Sequence, residues 1–381
     1  MSTFKVIVFG CNHLNMLGLV RSLGEKGIRP YCILLNSADG LVFRSKYPAM
    51  CHFASTPQEG YQYIVDHYSN EPVKPILLSS DDVTETIFDR NATALRKHFI
   101  VPAADEDGRV TFLMEKYNIA NLAVKYGLHV PKMWIIACGD DIPEGMQFPV
   151  FTKSLKSIDG GKQENGKCDC KEDLIQSINN SRARALLVQT YIEKETELDF
   201  PGVADGKTVF LPFVLKYIRF SENAYGGYVR LERTEQSAFL DNIRQLVIET
   251  KYKGMFSVEF ILGKDGVTYF TEINFRHDGQ SYFTTTGGAN LPYLYCKSCV
   301  ENELTTNCKI NKTVVGMNEL VDFYQSVSTN KISKFKWIWQ CLFADSHLLW
   351  NSKDNGPFWY TIKNGYNPFR LIWRKLTKRV Q

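Results

Sequence analysis

Two strand-like segments carry oxygen donors at a spacing that could hold a divalent cation. Glu259 lies within Phe256-Ser-Val-Glu-Phe-Ile-Leu262, and thirteen positions later Glu272-Ile-Asn274 closes the segment from Val267 to Asn274. β-Branched and aromatic residues dominate both, which marks them as strands. Gly263-Lys-Asp-Gly266 between them is a turn signal. Paired as a hairpin, the strands bring Glu259 beside Glu272 and Asn274. The latter two share a face, because side chains two apart on a strand point the same way. Three oxygen ligands on one face suit Mg²⁺, which completes its shell with water and phosphate. The competing reading is an exposed hairpin with ordinary surface acids. Arg276, followed by Gly279 and Gly287-Gly288, argues against it.

Glu259, the thirteen-residue step, Glu272-x-Asn274 and Arg276 together resemble the metal end of the ATP-grasp ligases. These enzymes use ATP to make amide-type bonds from carboxylates and amines. Phe275 stands where the family often has Pro, a residue that would stiffen the backbone without adding chemistry. The likeness spans roughly residues 110–300 together with an N-terminal α/β portion. It implies a set of nucleotide residues. Lys116, in Met114-Glu-Lys-Tyr117, matches a helix lysine that meets the nucleotide phosphates. The strand Phe148–Lys153 and the run after it resemble the family's strand and flexible loop, with Lys153 as the inner phosphate lysine and Gly160-Gly161 in the loop. Backbone N–H groups of such a loop cradle phosphate oxygens. Ser154 replaces the usual Pro there, which leaves the loop register open. Ala185 to Ile192 resembles the hinge strand: Gln189, Tyr191 and Ile192 would flank adenine, and either Glu195 or Glu197 would take the ribose hydroxyls. Gly287-Gly-Ala-Asn-Leu-Pro292 resembles the end of the family's fold, with Asn290 either contacting substrate or capping a helix.

The elements that must position these residues are also legible. Lys5 to Gly10 reads as a strand, His13 to Lys26 as a helix with Leu14, Leu17, Val20 and Leu23 on one stripe, and Pro30 to Leu35 as a second strand. This is a doubly wound βαβ unit, yet it lacks Gly-x-Gly-x-x-Gly and is not read as a dinucleotide site. Pro75 to Asp82 is a buried strand ending in acids that favour helix capping, since a helix starts at Val83. A helix is expected over Asp107–Tyr126 and a strand over Thr208–Tyr217. Lys216 on that strand and Arg230 after the Gly226-Gly227 pair are basic groups that could meet the γ-phosphate or a substrate carboxylate. The fold expected is α/β: an N-terminal Rossmann-like, pre-ATP-grasp domain (1–110), then an ATP-grasp fold of two α+β subdomains (111–305, dividing near 190), then a C-terminal segment (306–381).

Composition sets the outer bounds. At 381 residues, with 44% hydrophobic and 23% charged, the chain is long enough for two or three globular domains. No apolar run reaches the length of a membrane span or a signal peptide, so a cytoplasmic location is expected. The ten cysteines lack the paired spacing of a zinc site and are expected as free thiols. The net charge of +4 hides an asymmetry. From Lys331 onward there are ten Lys/Arg and two Asp, while the first 330 residues sum to −4. Five of the six tryptophans lie in this basic segment, and aromatic rings with cations favour anionic interfaces such as a membrane surface. No nucleic-acid motif accompanies them.

The resemblance therefore implies an ATP- and Mg²⁺-dependent ligase, with Mn²⁺ as an alternative ion. It would activate a small-molecule carboxylate as an acyl phosphate and join it to an amine. Glu259, Glu272 and Asn274 would hold the metal, and Arg276, Lys216 and Arg230 would act at the reacting groups. The overall arrangement resembles carboxylate–amine ligases of the D-aspartate ligase type, which work on a cell-envelope precursor. Asp354-Asn-Gly-Pro357 is similar to an Asp-x-x-Pro element near the end of some relatives. Two other readings stay open: a phosphotransferase of the same fold, and a non-catalytic, nucleotide-gated binding protein.

Overall fold

The computed structural model describes residues 4–155, 165–182, 185–221, 224–310 and 313–364. Four strands, Val6–Cys11 (β1), Tyr31–Leu35 (β2), Met50–Phe53 (β3) and Ile76–Ser79 (β4), form a parallel sheet in the order β3-β2-β1-β4. The unbroken apolar runs of β1 and β4 are what a parallel strand covered on both faces requires. Val8 and Leu78 pack with Leu17 and Val20 of the Leu14–Gly24 helix on one side, and Phe9 and Leu77 pack with Ile64 and Phe88 on the other. This is the Rossmann-like lobe expected. Asp81 caps the Asp82–Arg90 helix, accepting from the Thr84 N–H at 3.0 Å.

A small antiparallel sheet follows, in the order β5-β8-β6-β7, from Met133–Ala137 (β5), Val150–Ser154 (β6), Gly166–Cys168 (β7) and Ala185–Thr190 (β8). The larger sheet runs β14-β13-β9-β11-β12-β15-β16, with β10 paired to β9. Its strands are Lys194–Ala204 (β9), Val209–Phe210 (β10), Phe213–Ser221 (β11), Ala224–Arg233 (β12), Gly254–Gly263 (β13), Thr268–Asn274 (β14), Thr313–Met317 (β15) and Ser346–His347 (β16). Residues 191–193 alone separate β8 from β9, so a short hinge joins the two sheets.

Three elements differ from the sequence reading. The helix expected over Asp107–Tyr126 is broken into Arg109–Leu113 and Lys116–Lys125 by Glu115, whose ψ of 119° is extended. The break frees the Lys116 N–H for the Leu155 carbonyl at 3.3 Å, just past the end of β6; an unbroken helix would give it to a carbonyl four residues back. The strand expected over Thr208–Tyr217 is interrupted at Leu211-Pro212, since Pro has no N–H for a ladder. The chain beyond 306 does not stand apart either, because β15 and β16 extend the larger sheet. It is also pinned to the first lobe. Arg21, fully buried on the Leu14–Gly24 helix, pairs with Asp354 at 2.9 Å and donates to the carbonyls of Leu348, Leu349 and Asp354. Among the described residues no helix is long and apolar enough to cross a membrane.

Candidate active site

β13 and β14 pair Glu259 with Glu272 and Ser257 with Asn274. Directly opposed residues of an antiparallel pair share a face, so the two carboxylates and the amide stand together. Asn274 Nδ2 donates to Glu259 Oε1 at 2.6 Å. The opposite face buries Val258, Phe260, Phe270 and Ile273 in one core with Phe200 and Phe256. Each such side chain stabilises by about 1.5–3 kcal/mol on burial, which locks the acids to their side of the sheet. A bulge at Thr271 makes the arrangement possible. Phe260 opposes Phe270 while Glu259 opposes Glu272, so β14 carries one extra residue between them. Without it Phe270 and Glu272, two apart, would point the same way. Thr271 Oγ1 donates to the Glu259 carbonyl at 2.9 Å.

Other elements deliver charge to the same face. On β9, Asp199 opposes Glu259, is 3% exposed and accepts from Ser257 Oγ. Glu197, two residues earlier, shares that face. Lys116, at the start of its helix, places Nζ 3.1 Å from Glu272 Oε2. Lys153 on β6 feels the charges of Glu272, Glu259 and Glu197. Arg276 donates from Nε to Asp82 Oδ1 at 2.6 Å and from a terminal nitrogen to Asn274 Oδ1 at 3.2 Å, tying the hairpin to the first lobe.

The electrostatics separate the two glutamates. Lys116 holds Glu272 down at about 2, with Lys153 and Arg276 acting the same way against partial burial. Burial and the charges of Glu272, Glu197 and Asp278 push Glu259 up to about 8. Asp199 is also raised, by burial and then by Asp278 and Glu259. Lys153 is lowered by burial, with Lys116 adding to the effect. Negative charge is thus crowded around Glu259 beyond what the nearby lysines neutralise. A divalent cation between Glu259, Glu272 and Asn274 would relieve that crowding, and an all-oxygen donor set suits Mg²⁺. Among the described residues no three His, Cys, Asp or Glu side chains converge at metal-binding separation.

Lys216 and Arg230 do not join this cluster. Lys216 opposes Arg230 across β11–β12 and Leu198 on β9, and Leu198 opposes Phe260. Strand alternation therefore puts both cations on the face away from Glu259, where they are exposed and Lys216 pairs with Glu232 at 2.7 Å. Tyr217 takes the cleft side instead, its hydroxyl raised by burial and by Asp199 and Glu259. At the hinge, Gln189 is buried on β8, and Tyr191 and Ile192 are half-buried beyond it. Lys167 Nζ lies 5.0 Å from the centre of the Tyr191 ring. Of the two ribose candidates, Glu195 is exposed at an irregularity where β9 meets the end of β13, whereas Glu197 faces the acid cluster and pairs with Lys194 at 2.5 Å. Gly160 and Gly161 lie outside the described residues. His277 is 1% exposed and is lowered to about 4 by burial and by Arg276. Asn290 is a helix cap, accepting from the Tyr293 N–H at 3.0 Å.

Two residues of this site escaped the sequence reading. Asp199 follows Glu197 by two on one strand, but only the pairing of β9 with β13 sets it beside Glu259. Asp82 adjoins the cap Asp81, and nothing local announces its pairing with a residue 194 positions away.

No family model matches the chain. A curated N5-carboxyaminoimidazole ribonucleotide synthase of Aquifex aeolicus (strain VF5) is 26% identical over 172 residues, covering 43% of this chain and 45% of that protein, so the match spans less than half of the relative. The solved L-amino acid ligase from Bacillus licheniformis superposes with a TM-score of 0.65 at 12% identity, over 83% of this chain and 80% of that one. The N5-carboxyaminoimidazole synthetase of Staphylococcus aureus, complexed with ADP, gives a TM-score of 0.67 at 12% identity, over 86% of each chain. The element order, the sheet topology and these superpositions lead to one conclusion: the chain has the ATP-grasp fold, preceded by a Rossmann-like lobe.

Proposed function

We propose that the chain is an ATP- and Mg²⁺-dependent ligase that activates a carboxylate and joins it to an amine. One observation carries the reading: the hairpin register sets Glu259, Glu272 and Asn274 on one face, and Lys116 and Lys153 reach it from two other elements. The solved neighbours support it, since they are a ligase and a synthetase, one of them with ADP.

A carboxylate is a poor electrophile at neutral pH. In the reaction proposed, its oxygen takes the γ-phosphoryl group of ATP and ADP leaves. The amine then attacks the acyl carbon, expels phosphate and loses a proton. Phosphoryl transfer needs charge neutralisation and alignment more than covalent help from the protein. Mg²⁺, when bound, supplies Lewis-acid polarisation of the β- and γ-phosphates. Glu259, Glu272 and Asn274 would hold it. Lys116 and Lys153 would neutralise phosphate oxygens, and Gln189, Tyr191, Ile192 and Glu197 would receive the nucleoside. Arg276, steadied by Asp82 and Asn274, would stabilise the transferred group and the anion formed when the amine adds. The basic, aromatic C-terminal region supports an acceptor carried on a cell-envelope precursor or polysaccharide at the cytoplasmic face of a membrane.

The test is ADP release over pooled amino acids and envelope precursors, with product mass read in parallel. ADP formation coupled to a new C–N product supports the ligase. Nucleotide binding without turnover across the panel overturns it, and ADP formation with a phosphorylated acceptor and no amine product turns the reading to a phosphotransferase.

A further inference from the structure

The Lys334–Leu342 helix presents large apolar side chains outward while its inner side is already fully engaged. Trp337 is 5% exposed; its Nε1–H donates to Asp322 Oδ2 at 2.9 Å and its ring meets Phe323 edge-on at 5.3 Å. Ile338 and Cys341 pack on the cluster of Met317, Phe323, Val327 and Trp337. Gln340 accepts from Arg219, which also pairs with Asp322, and Ser333 caps the first turn. The helix is therefore a fixed part of the body rather than a loose end.

Its outer side carries Phe335, Trp339, Leu342 and Phe343, which are 87%, 64%, 73% and 64% exposed. Steps of four, three and one residues place them in one helical stripe. The Trp339 and Phe343 rings lie 4.4 Å apart, so the stripe is a patch and not four isolated residues. Contiguous exposed apolar surface of this kind marks an interaction site. Along the helix the charge has one sign. Lys331, Lys334 and Lys336 border the stripe with no acid between Lys331 and Ala344, and beyond Asp354 the chain carries six more Lys/Arg and no acid.

We propose that this face docks on an anionic lipid bilayer. Phe335, Trp339, Leu342 and Phe343 enter the boundary between headgroups and acyl chains, and the three lysines meet lipid phosphates. Aromatic side chains favour that boundary, and lysines near an anionic leaflet add attraction that salt screens. A nine-residue helix is far too short to span a bilayer and lies in its plane. The inference deepens the lipid-proximal part of the proposed function and rests on it for its biological use: a ligase seated this way meets an acceptor held in the same membrane.

The experiment is co-sedimentation of the full chain, without nucleotide, with vesicles of phosphatidylcholine alone or mixed with phosphatidylglycerol. The expected result is binding to the anionic vesicles that weakens with salt. It should fall about tenfold or more in Phe335→Ser/Trp339→Ser/Phe343→Ser, with an unchanged melting temperature. Lys331→Gln/Lys334→Gln/Lys336→Gln should lose most of the preference for anionic lipid. Absence of vesicle binding, or equal binding by the serine variant, overturns the proposal. So does self-association in sedimentation velocity that the serine variant abolishes without any lipid binding, which assigns the face to a second copy of the chain. ADP release in lipid-free solution is read separately. Turnover without vesicle binding overturns the docking alone, and vesicle binding without turnover overturns the ligase alone.

Discussion

Two of the clusters of buried or half-buried charge among the described residues are built on opposite principles. At Arg21–Asp354 the charges are paired and held by several hydrogen bonds. The guanidinium has a carboxylate and three carbonyls, and the carboxylate also accepts from Ser45 Oγ and the Lys46 N–H at 2.9 Å each. At the β13–β14 hairpin the acids outnumber their partners, and Glu259 is pushed up to about 8 by burial and by its neighbours. A balanced, fully hydrogen-bonded cluster holds two parts of a fold together, and removing one member leaves an uncompensated buried charge. A crowded one stores repulsion that a cation can relieve, which makes it a candidate binding site.

The contrast can be broken from either side. The largest effect is expected from Glu272→Ala, which should lower ADP release about a thousandfold, or ~4 kcal/mol in the barrier, with the melting temperature retained. Parent-like turnover in that variant would remove the metal assignment. Arg21→Ala should do the reverse, costing about 3–5 kcal/mol of stability in urea denaturation. If it instead unfolds like the parent, the balanced cluster is not holding the C-terminal segment.

His277 sharpens the comparison through pH. Its pKa is about 4 in the fold against 6.5 in a model peptide. Below 6.5 the unfolded chain binds a proton that the folded chain refuses. The stability from this group is therefore complete above pH 6.5 and falls by about 3 kcal/mol as the pH drops to 4. His277→Gln should flatten that part of a urea-midpoint profile, and an unchanged slope would show that another group causes it. The smallest effects belong to Lys216→Ala and Arg230→Ala. Both should stay within about twofold of parent turnover and within about 0.5 kcal/mol in stability. A large loss of turnover in either would place these cations back at the reacting groups.

Much of the hairpin and its neighbouring caps could be read from the chain because local rules govern them. Glu259, Glu272 and Asn274 sit on strands that their own composition announces, and a four-residue turn brings them together. The acid cap at Asp81 and the asparagine cap at Asn290 were equally local. Lys216 and Arg230 went astray because chain proximity to a Gly-Gly pair says nothing about which face a strand presents. That face depends on which residue of β9 stands opposite, and a register one residue away would have reversed it.

What the chain settled by itself is the chemistry available: two acids and an amide at hairpin spacing, the lysines Lys116 and Lys153, and a basic, tryptophan-rich end. Patterns of this kind depend on steps of two or four residues, which backbone geometry dictates wherever the segment is placed. Tertiary structure alone decided that Asp199 joins the acids, that Asp82 holds Arg276, and that Trp337 turns inward while Trp339 turns out. Those outcomes depend on contacts between segments far apart in the chain, where packing of whole elements, and no local preference, selects the partner.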